Sequence, residues 1–397
     1  MNVQNCTGCA ACLNICPHDA IVMKGNSEGF DYPLVQKELC TDCDLCRKTC
    51  PVLSKDHLPK FRAIPDVFAA WHRNQEIRLQ SSSGGVFSAF ASSILEQGGV
   101  VFGAVFDKDF SVYHKSIDSE ENVDELRRSK YIQSRVGNSF REVKHHLEGG
   151  SLVLFVGTPC QTAGLLSYLK KPFYNLFTCA LVCTGAPSPK VFRQYLKYIE
   201  QTYNSSVASY SFRDKREGWA CKEAIRFNNG KEVFGRENNS ALPSFYYAFS
   251  HKALLSRKSC YVCPFKGLPG YADIILGDFW SIRNQEPNLD DDKGTSMVLV
   301  NSDKGQKLLN ISEKYLSLKS CPFRYIQFNS TLMRSARCPK KRAKLFTDID
   351  HVPFEQLYQK YMRPPNALEK FIKKTIFSLK WCIKNVLDSI EGIRRQK

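Results

Sequence analysis

Eight cysteines near the start of the chain are spaced as iron–sulfur ligands are. They form two blocks that each read Cys-x2-Cys-x2-Cys-x3-Cys-Pro, namely Cys6, Cys9, Cys12 and Cys16, then Cys40, Cys43, Cys46 and Cys50. Bacterial ferredoxins use this run, and the fourth cysteine of each block ligates the cluster of the other block. The spacing therefore predicts two [4Fe-4S] clusters, one on Cys6, Cys9, Cys12 and Cys50 and the other on Cys40, Cys43, Cys46 and Cys16.

A pair of zinc sites is the alternative interpretation of these blocks. Zinc ligands usually come as two separated Cys-x2-Cys pairs that close one tetrahedron. Three cysteines at successive x2 spacings, followed by x3-Cys-Pro and present twice, favour iron–sulfur clusters instead. Residues 1–60 carry six Lys or Arg against seven Asp or Glu, so the charge of this segment is nearly balanced. We interpret residues 1–60 as a two-cluster ferredoxin domain that conducts electrons.

Four further cysteines lie in the body of the chain, after apolar segments or as a pair. Cys160 follows the apolar segment 152–156, Cys183 follows another such segment, and Cys260 and Cys263 form a Cys-x2-Cys-Pro unit. Loops after strands are where α/β proteins place functional groups. From their spacing alone, these four cysteines could bind a third cluster or one zinc ion, or some could be buried packing residues.

The elements that must position these thiols are typical of a mixed α+β protein. Apolar segments predict strands at 100–105, 152–156 and 272–276, and helical periodicity follows Gly85 and begins again at Ser188-Pro189. Residues 224–235 predict a hairpin around Asn228-Asn229-Gly230. We therefore expect a small ferredoxin-like N-terminal domain joined by a connector, residues 52–65, to a mixed α/β core at 65–347.

Composition narrows the class of protein further. The chain has 397 residues, 17 cysteines and a formal net charge of +17. So many cysteines without a recognisable export signal point to metal rather than disulfides, and to a cytoplasmic location. No apolar segment approaches the roughly eighteen residues of a membrane span. No nucleic-acid motif accompanies the basic charge, so we do not expect a nucleic-acid partner.

The end of the chain predicts a basic amphipathic helix. Residues 361–397 hold nine Lys or Arg and three Asp or Glu. Apolar residues recur there at helical spacing: Leu368, Phe371, Ile372, Ile376, Leu379, Ile383, Leu387 and Ile390. Such a tail could contact the inner face of an anionic membrane as a peripheral element, dock a partner, or pack on its own domain.

Several motifs in the body, together with the two ferredoxin runs, give the chain a resemblance to a known family. They are Ser82-Ser83-Gly84-Gly85-Val86-Phe87, Ser129-Lys130-Tyr131-x-Gln133-Ser134, Gly157-Thr158-Pro159-Cys160-Gln161, Cys260-x2-Cys263, Ala272-Asp273-Ile274-x2-Gly277-Asp278-Phe279-Trp280 and Lys293-Gly294-Thr295-Ser296. In this order, over residues 1–335, the chain resembles the family of coenzyme F-420 hydrogenase/dehydrogenase beta subunits. That family includes a hydrogenase component that reduces a deazaflavin and a plant reductase acting on 7-hydroxymethyl chlorophyll.

The resemblance implies cofactors and the residues that would hold them. It implies FAD and a core [4Fe-4S] cluster, and a core made of two family parts that divide near residue 150. The implied cluster ligands are Cys160, Cys183, Cys260 and Cys263. The implied flavin contacts are Ser82, Ser83, Gly84, Gly85, Ser129, Lys130, Tyr131, Gln133, Thr158 and Thr295. Many relatives carry histidine where this chain has Thr184, so the role of that histidine is not carried over.

We therefore expect an iron–sulfur flavoprotein oxidoreductase. Electrons would pass between a ferredoxin-like donor or partner subunit, the clusters, FAD and a small organic substrate, in either direction. One alternative is an electron-transfer subunit that feeds the active site of a partner and has no substrate site of its own. Another is an interaction protein whose core has lost the flavin. The sequence assigns no catalytic residue.

Overall fold

The computed structural model describes residues 5–220, 222–235 and 243–366, with Leu368, Glu369, Phe371 and Thr375. The strands in these residues are β1 (Ile21–Gly25), β2 (Asp31–Val35), β3 (Asp66–His72), β4 (Val100–Phe106), β5 (Val112–Ile117), β6 (Val153–Gly157), β7 (Leu176–Leu181), β8 (Val207–Ser211), β9 (Glu223–Phe227), β10 (Glu232–Gly235), β11 (Ile274–Asp278), β12 (Ser296–Val300) and β13 (Leu316–Cys321).

The α-helices of the same residues are short in the ferredoxin part and longer in the body. They are α1 (Ala11–Ile15), α2 (Leu45–Lys48), α3 (Gln75–Gln80), α4 (Val86–Leu95), α5 (Val123–Leu126), α6 (Ser139–Glu148), α7 (Pro159–Leu169), α8 (Pro189–Tyr203), α9 (Phe245–Ser250), α10 (Ile282–Gln285), α11 (Asp303–Ile311), α12 (Ser330–Met333), α13 (Arg342–Asp348) and α14 (Phe354–Leu357). A 3-10 helix at Lys258–Val262 also matters for the site.

The body is organised by an eight-stranded mixed sheet in the order β13-β3-β12-β11-β7-β6-β4-β5. Strands β4, β6, β7 and β11 are parallel to one another. Strand β12 is antiparallel to both β11 and β3, so β3 runs in the same direction as β11. The ends of β3, β6, β7 and β11 and the start of β12 therefore lie at one edge of the sheet, which we call the carboxyl edge.

Both faces of this sheet are covered, which explains why its central strands are apolar throughout. All five residues of β6 and all five of β12 are buried. Helices α4 and α11 pack on one face, and α6 and α7 pack on the other. Strands buried on both faces read as continuous apolar runs rather than as alternating patterns. The segments predicted at 100–105, 152–156 and 272–276 correspond to β4, β6 and β11, although β11 begins and ends two residues later than predicted.

A second hydrophobic cluster joins the smaller sheet, β10-β9-β8, to helices α8, α9 and α13. The predicted hairpin is confirmed, since β9 and β10 pair antiparallel around Asn228-Asn229-Gly230. Phe30, from the turn between β1 and β2 of the ferredoxin part, is fully buried in this cluster near Phe346. The α+β fold class is confirmed, and the ferredoxin part packs directly on the body.

The predicted C-terminal helix lies almost entirely outside the described residues. Tyr361 and Met362, the first residues of the predicted tail, are buried in the same cluster as α8 and α13. The domain limits drawn from the sequence stay predictions. Within the part of the chain that the structure covers, no helix is long and apolar enough to cross a membrane.

Candidate iron–sulfur and flavin sites

Four cysteines of the ferredoxin part line one small cavity, with mostly apolar walls. We call them the inner group: Cys6, Cys9, Cys12 and Cys50. Burial raises the pKa of the Cys9 thiol to about 12, and the neighbouring thiols of Cys6 and Cys50 contribute to this shift. The fourth cysteine of the second block therefore lies with the first three of the first block, as the ferredoxin run predicts.

Left-handed turns fold the first block around this cavity. Gly8 has φ +72 and Ala10 has φ +62, so the chain curls back before α1 begins. A Cβ atom at Gly8 would lie 2.5 Å from Nε2 of Gln133, which would have to move, and the positive φ already disfavours a side chain at this position. The side chain of Asn14 donates to the carbonyl oxygens of Ala10 and Gly137, both at 2.9 Å, and so ties α1 to the body.

The remaining cysteines of the two blocks lie closer to solvent. We call them the outer group: Cys16, Cys40, Cys43 and Cys46. Cys43 is exposed and the other three are half-buried. Burial raises the pKa of Cys46, and Asp44 and Cys43 add to this shift. The membership of Cys16 stays a prediction.

The four cysteines of the body meet at the carboxyl edge of the large sheet. We call them the core group: Cys160, Cys183, Cys260 and Cys263. Cys160 lies in the first turn of α7, just after β6, and Cys183 follows β7 by two residues. Burial raises the pKa of Cys160 well above its ordinary value, and Cys263, Cys183 and Cys260 add to it as near neighbours. The structure thus brings together four thiols from three separate segments of the chain.

Specific contacts hold the loops of the core group. The Nζ atom of Lys266 donates to the carbonyl oxygen of Cys183, and the backbone N–H of Ala186 donates to Sγ of Cys260 at 3.4 Å. The side chain of Gln161 and the backbone of Thr158 form a capping box at the start of α7. A small cavity with mostly apolar walls lies beside Cys183.

The chemistry of these donor sets fits [4Fe-4S] clusters. Among the residues that the structure describes, no three His, Cys, Asp or Glu side chains converge closely enough for a single metal ion. A tetrahedral zinc ion would hold its sulfur ligands about 3.8 Å apart, given Zn–S bonds of about 2.3 Å. A cubane needs wider spacing, because each thiolate binds a different iron. The thiols would have to lose their protons on cluster binding.

One helix connects the inner group to the core group. Cys160 is at the start of α7, and Gly164 lies one turn further along the same helix. A Cβ atom at Gly164 would lie 2.9 Å from Cβ of Cys9 and 3.1 Å from its Sγ. Four residues of helix rise about 6 Å, so Cys160 and the residue that contacts Cys9 lie about one turn apart along α7.

Buried contacts fix the ferredoxin part in this position. Leu58 and Val52 pack in one apolar cluster with Cys160, Cys263 and Phe265. A second attachment is the buried ion pair of Glu28 and Arg342, with Nη2–Oε2 at 2.6 Å and Nη1–Oε1 at 3.0 Å. Burial opposes ionisation of Glu28, but Arg342 and Lys258 outweigh it and hold its pKa below the ordinary value.

Most of the predicted flavin contacts lie at the carboxyl edge, beside two cationic side chains. These side chains are those of Arg213 and Lys215. Arg213 donates to the carbonyl oxygen of Ser82 at 2.9 Å and to the hydroxyl of Tyr131 at 3.2 Å. Ser82 Oγ accepts from the backbone N–H of Ser129 at 2.9 Å. Ser83 Oγ donates to the carbonyl oxygen of Thr295 at 3.2 Å.

Lys215 is a buried lysine at this edge. Its Nζ donates to the carbonyl oxygens of Arg78, Ser83 and Lys293 at 2.5–2.6 Å. No carboxylate forms an ion pair with it in the described residues. Burial lowers the pKa of Lys215 to about 7, and the charges of Arg78 and Arg213 add to this effect. An ammonium in this state fits an anionic group such as a diphosphate.

The two glycines of the serine–glycine motif have different surroundings. A Cβ atom at Gly84 would lie 2.4 Å from the carbonyl oxygen of Ala70, so Gly84 allows the chain to pack against β3. Gly85 has φ +85 and is the N-cap of α4, with no side chain capping the first N–H groups. The start of α4 therefore retains backbone donors and a positive helix end suited to an anion.

Three predicted flavin contacts point elsewhere in this structure. Lys130 donates from Nζ to the carbonyl oxygens at the end of α5, those of Glu125 and Arg127. Gln133 accepts from Arg257 beside the inner group. Thr158 lies beside the core group, with Oγ1 3.2 Å from Sγ of Cys160. The assignments of these residues to the flavin stay predictions.

Arg213 and Trp219 were not singled out from the sequence, whereas their neighbours Asp278 and Trp280 lie in one of the family motifs. Arg213 forms a buried ion pair with Asp278, and Trp219 donates from Nε1 to the same carboxylate at 3.2 Å. The indole rings of Trp219 and Trp280 stack with centroids 4.2 Å apart. The basic run from Arg213 to Arg216 was a visible signal, but charged residues of this kind usually face solvent.

Comparisons with known proteins agree with this geometry. Residues 5–53 match the family described as 4Fe-4S dicluster domain. Residues 67–140 match the N-terminal part, and residues 150–322 the C-terminal part, of the family described as coenzyme F420 hydrogenase/dehydrogenase, beta subunit. The two parts together span most of the body, including the core group and the carboxyl edge.

Similar individual proteins come from two archaea. An uncharacterized protein of Methanocaldococcus jannaschii is 23% identical over 343 residues, covering 77% of this chain and 86% of the relative. A subunit of the F(420)H(2) dehydrogenase of Methanosarcina mazei is 26% identical over 165 residues, covering 39% of this chain and 46% of that relative, less than half its length.

Among solved structures, a chain of the F420-reducing nickel–iron hydrogenase complex of Methanosarcina barkeri is similar at 18% identity and a TM-score of 0.46. The match covers 66% of this chain and 84% of that chain. The family matches, in the same order as the motifs and on the residues that form the site, carry the assignment. The chain belongs to the family of coenzyme F420 hydrogenase/dehydrogenase beta subunits and carries an N-terminal 4Fe-4S dicluster domain.

Proposed function

We propose that the chain is an iron–sulfur flavoprotein oxidoreductase that passes electrons between ferredoxin-type clusters and an organic substrate by way of FAD. The observation that carries this proposal is the contact of α7 with both the core and the inner group, through Cys160 at its start and Gly164 against Cys9. Electron transfer requires carriers at short range, and one helical turn provides it. The ligand assignments of all twelve cysteines are part of the proposal.

The outer, inner and core groups differ in burial, and this difference suggests their order along the proposed electron-transfer path. The outer group includes the exposed Cys43, so it is the place where a redox partner can approach. Three cysteines of the inner group are buried, with Cys9 packed against the body, and the core group lies at the carboxyl edge. When bound, [4Fe-4S] clusters supply one-electron carriage. The order outer, inner, core follows from these positions.

FAD, when bound, would supply the exchange between single electrons and a hydride. The residues that would hold it are Lys215 and Arg213, which offer positive charge, and the first N–H groups of α4, which follow Gly85. The stacked rings of Trp219 and Trp280 supply an aromatic surface beside them. The small organic substrate would bind at the same edge, where aromatic surface and cations meet.

A second candidate function is an electron-transfer subunit that delivers electrons to the active site of a partner chain. It is favoured by the relative in Methanosarcina mazei, whose name describes it as one subunit of a dehydrogenase. In this case the clusters would be as proposed, but the chain would have no substrate site. A partner subunit is part of both candidate functions.

A cytoplasmic location is part of the proposal as well. Every cysteine in the described residues is a free thiol. Free thiols in such number are typical of a reducing compartment. Membrane contact through the C-terminal helix stays a prediction on residues that the structure does not describe.

The experiment is anaerobic purification of the full chain with iron, acid-labile sulfide, zinc and flavin quantified. The proposal predicts iron and sulfide for three clusters, bound FAD, and bleaching of the flavin absorbance when dithionite reduces the clusters. Clusters without FAD, even with FAD added, would favour the electron-transfer subunit. Zinc in place of iron would contradict both candidates.

A further inference from the structure

Arg257 is a fully buried arginine without a carboxylate partner in the residues that the structure describes. Its side chain is 0% exposed, and its Nη2 atom has no hydrogen-bond partner there. The buried arginines Arg78, Arg213 and Arg342 are each paired with a carboxylate instead. A buried charge without a counter-charge is costly and calls for an anion nearby. The described part of the protein itself supplies none to Arg257.

The position of Arg257 connects the inner group with the core group. Its Nε donates to the carbonyl oxygen of Cys6 at 2.8 Å. Its own carbonyl oxygen accepts from the backbone N–H of Cys260 at 2.9 Å, and its N–H donates to the carbonyl oxygen of Ala186 at 3.0 Å. One residue therefore contacts a cysteine of each group.

The groups packed around the guanidinium are neutral. Tyr32 lies with its ring centroid 3.8 Å from Cζ, and Gln133 accepts from Nη1 at 3.2 Å. The carbonyl oxygen of Asp31 accepts from Nη1 at 2.9 Å, while the carboxylate of Asp31 pairs with Arg135. At Gly8, a Cβ atom would lie 3.0 Å from Nη1, so the inner loop approaches the cation closely.

We propose that Arg257 is the electrostatic link between the inner and core clusters, and that its charge raises the reduction potential of both. A [4Fe-4S] cluster on four thiolates is anionic, and reduction adds one electron and one more negative charge without a proton. A fixed positive charge in a water-poor interior favours the reduced form. Arg257 is a positioning residue, since its hydrogen bonds are to the backbone of the segments that carry the cysteines and not to a cluster itself. This inference rests on the proposed function because it presupposes the clusters.

The test is a redox titration of the anaerobic full chain, followed by electron paramagnetic resonance, for wild type and two variants. Arg257→Met removes the charge and keeps an apolar side chain of similar length. Arg257→Lys keeps the charge and loses the planar fork. We expect Arg257→Met to lower the equilibrium constant for reduction of the inner and core clusters at least tenfold. This corresponds to a reduction potential lower by about 59 mV for one electron. Arg257→Lys should shift them less.

Two further variants separate a charge effect from a folding defect. Gln133→Glu places a carboxylate beside Nη1 without removing the arginine, and should lower the same two potentials. Arg47→Met removes an exposed arginine beside Cys46 and should leave the inner and core reduction equilibria within twofold, because solvent screens it. Loaded clusters with wild-type potentials in Gln133→Glu or Arg257→Met would overturn the inference and leave the proposed function intact. A wild-type chain without clusters would instead contradict the proposed function itself.

Discussion

The inner and outer cysteine groups are built from the same spacing but lie in different environments. Cys9, Cys12 and Cys50 are buried, and Cys9 packs against Gly164 of α7. Cys43 of the outer group is exposed. The difference in burial arises outside the two cysteine blocks. The inner group is covered by α7 and by apolar side chains of the body, which do not belong to either block. Identical ligand patterns can therefore serve two different positions on one path.

Under the proposed function, this difference gives the path an order in space, though not a direction of electron flow. An exposed group can meet a redox partner, and a buried group cannot. A buried group next to a second thiol cluster can only relay electrons within the chain. The comparison predicts that damage to the outer, inner and core groups will have distinguishable effects.

The largest effect is expected from removing single ligands. Cys260→Ser should abolish flavin reduction through the clusters and leave the inner and outer signals present, because the core cluster loses one thiolate. Cys43→Ser should abolish reduction by a macromolecular donor while dithionite still reduces the inner cluster. Stopped-flow absorbance with each donor checks this. Equal behaviour of the two variants would contradict the assigned order.

A larger side chain at Gly164, where α7 contacts the inner group, should have nearly as large an effect on the clusters. Gly164→Val places carbon atoms within contact of Cys9, and overpacking of this kind costs about 1–3 kcal/mol. We expect loss or distortion of the inner cluster with the outer cluster retained, seen in the resonance spectrum. Gly25→Ala is the matched control, since its nearest neighbour atom would lie 3.6 Å away. An unchanged inner signal in Gly164→Val would refute the contact.

Breaking the ion pair between Glu28 of the ferredoxin part and Arg342 of the body should lower the free energy of unfolding. Glu28→Gln leaves the charge of Arg342 buried without its counter-charge, which costs about 3 kcal/mol. Chemical unfolding monitored by circular dichroism measures this cost.

The same pair should make stability depend on pH. The pKa of Glu28 is lowered in the folded state, so its contribution is present above the ordinary glutamate pKa of about 4.3 and is lost as pH falls below it. Glu28→Gln should reduce this acid sensitivity. An identical acid profile in both proteins would show that the pair does not hold the ferredoxin part.

The smallest expected effect is a pH dependence of FAD binding at the carboxyl edge, caused by Lys215. Lys215 has a pKa of about 7 in the absence of ligand, and binding of an anionic cofactor raises it. FAD affinity should therefore fall as pH rises above 7, by up to about tenfold per pH unit, and stay constant below pH 7. Lys215→Arg remains charged and should remove this dependence. Fluorescence titration of FAD between pH 6 and 9 measures it.

The sequence indicates the ligand sets better than their surroundings. The pairing of Cys50 with the first block follows from the ferredoxin run, and the cavity shows these thiols together. The four core cysteines come together only through loops that are distant in the chain, so spacing alone left a cluster, zinc and packing residues open. The family resemblance was needed to join them.

What the sequence could not indicate is which charges are buried. Lys215, Arg213 and Arg257 read as ordinary basic residues, and burial of a cation depends on the tertiary packing around it. The strands of the central sheet were predictable because continuous apolar runs have few other uses. The glycine at Gly164 was not noticed, since its role depends on the distant Cys9.

The measurement that tests the account most directly is the magnetic interaction between the inner and core clusters in the fully reduced chain. If both clusters lie against α7, their electron spins must couple, and the resonance spectrum will show splitting or faster relaxation. Cys260→Ser should then remove this part of the interaction and leave only the coupling between the inner and the outer cluster. Independent signals in the wild-type chain, with both clusters loaded, would contradict the relay.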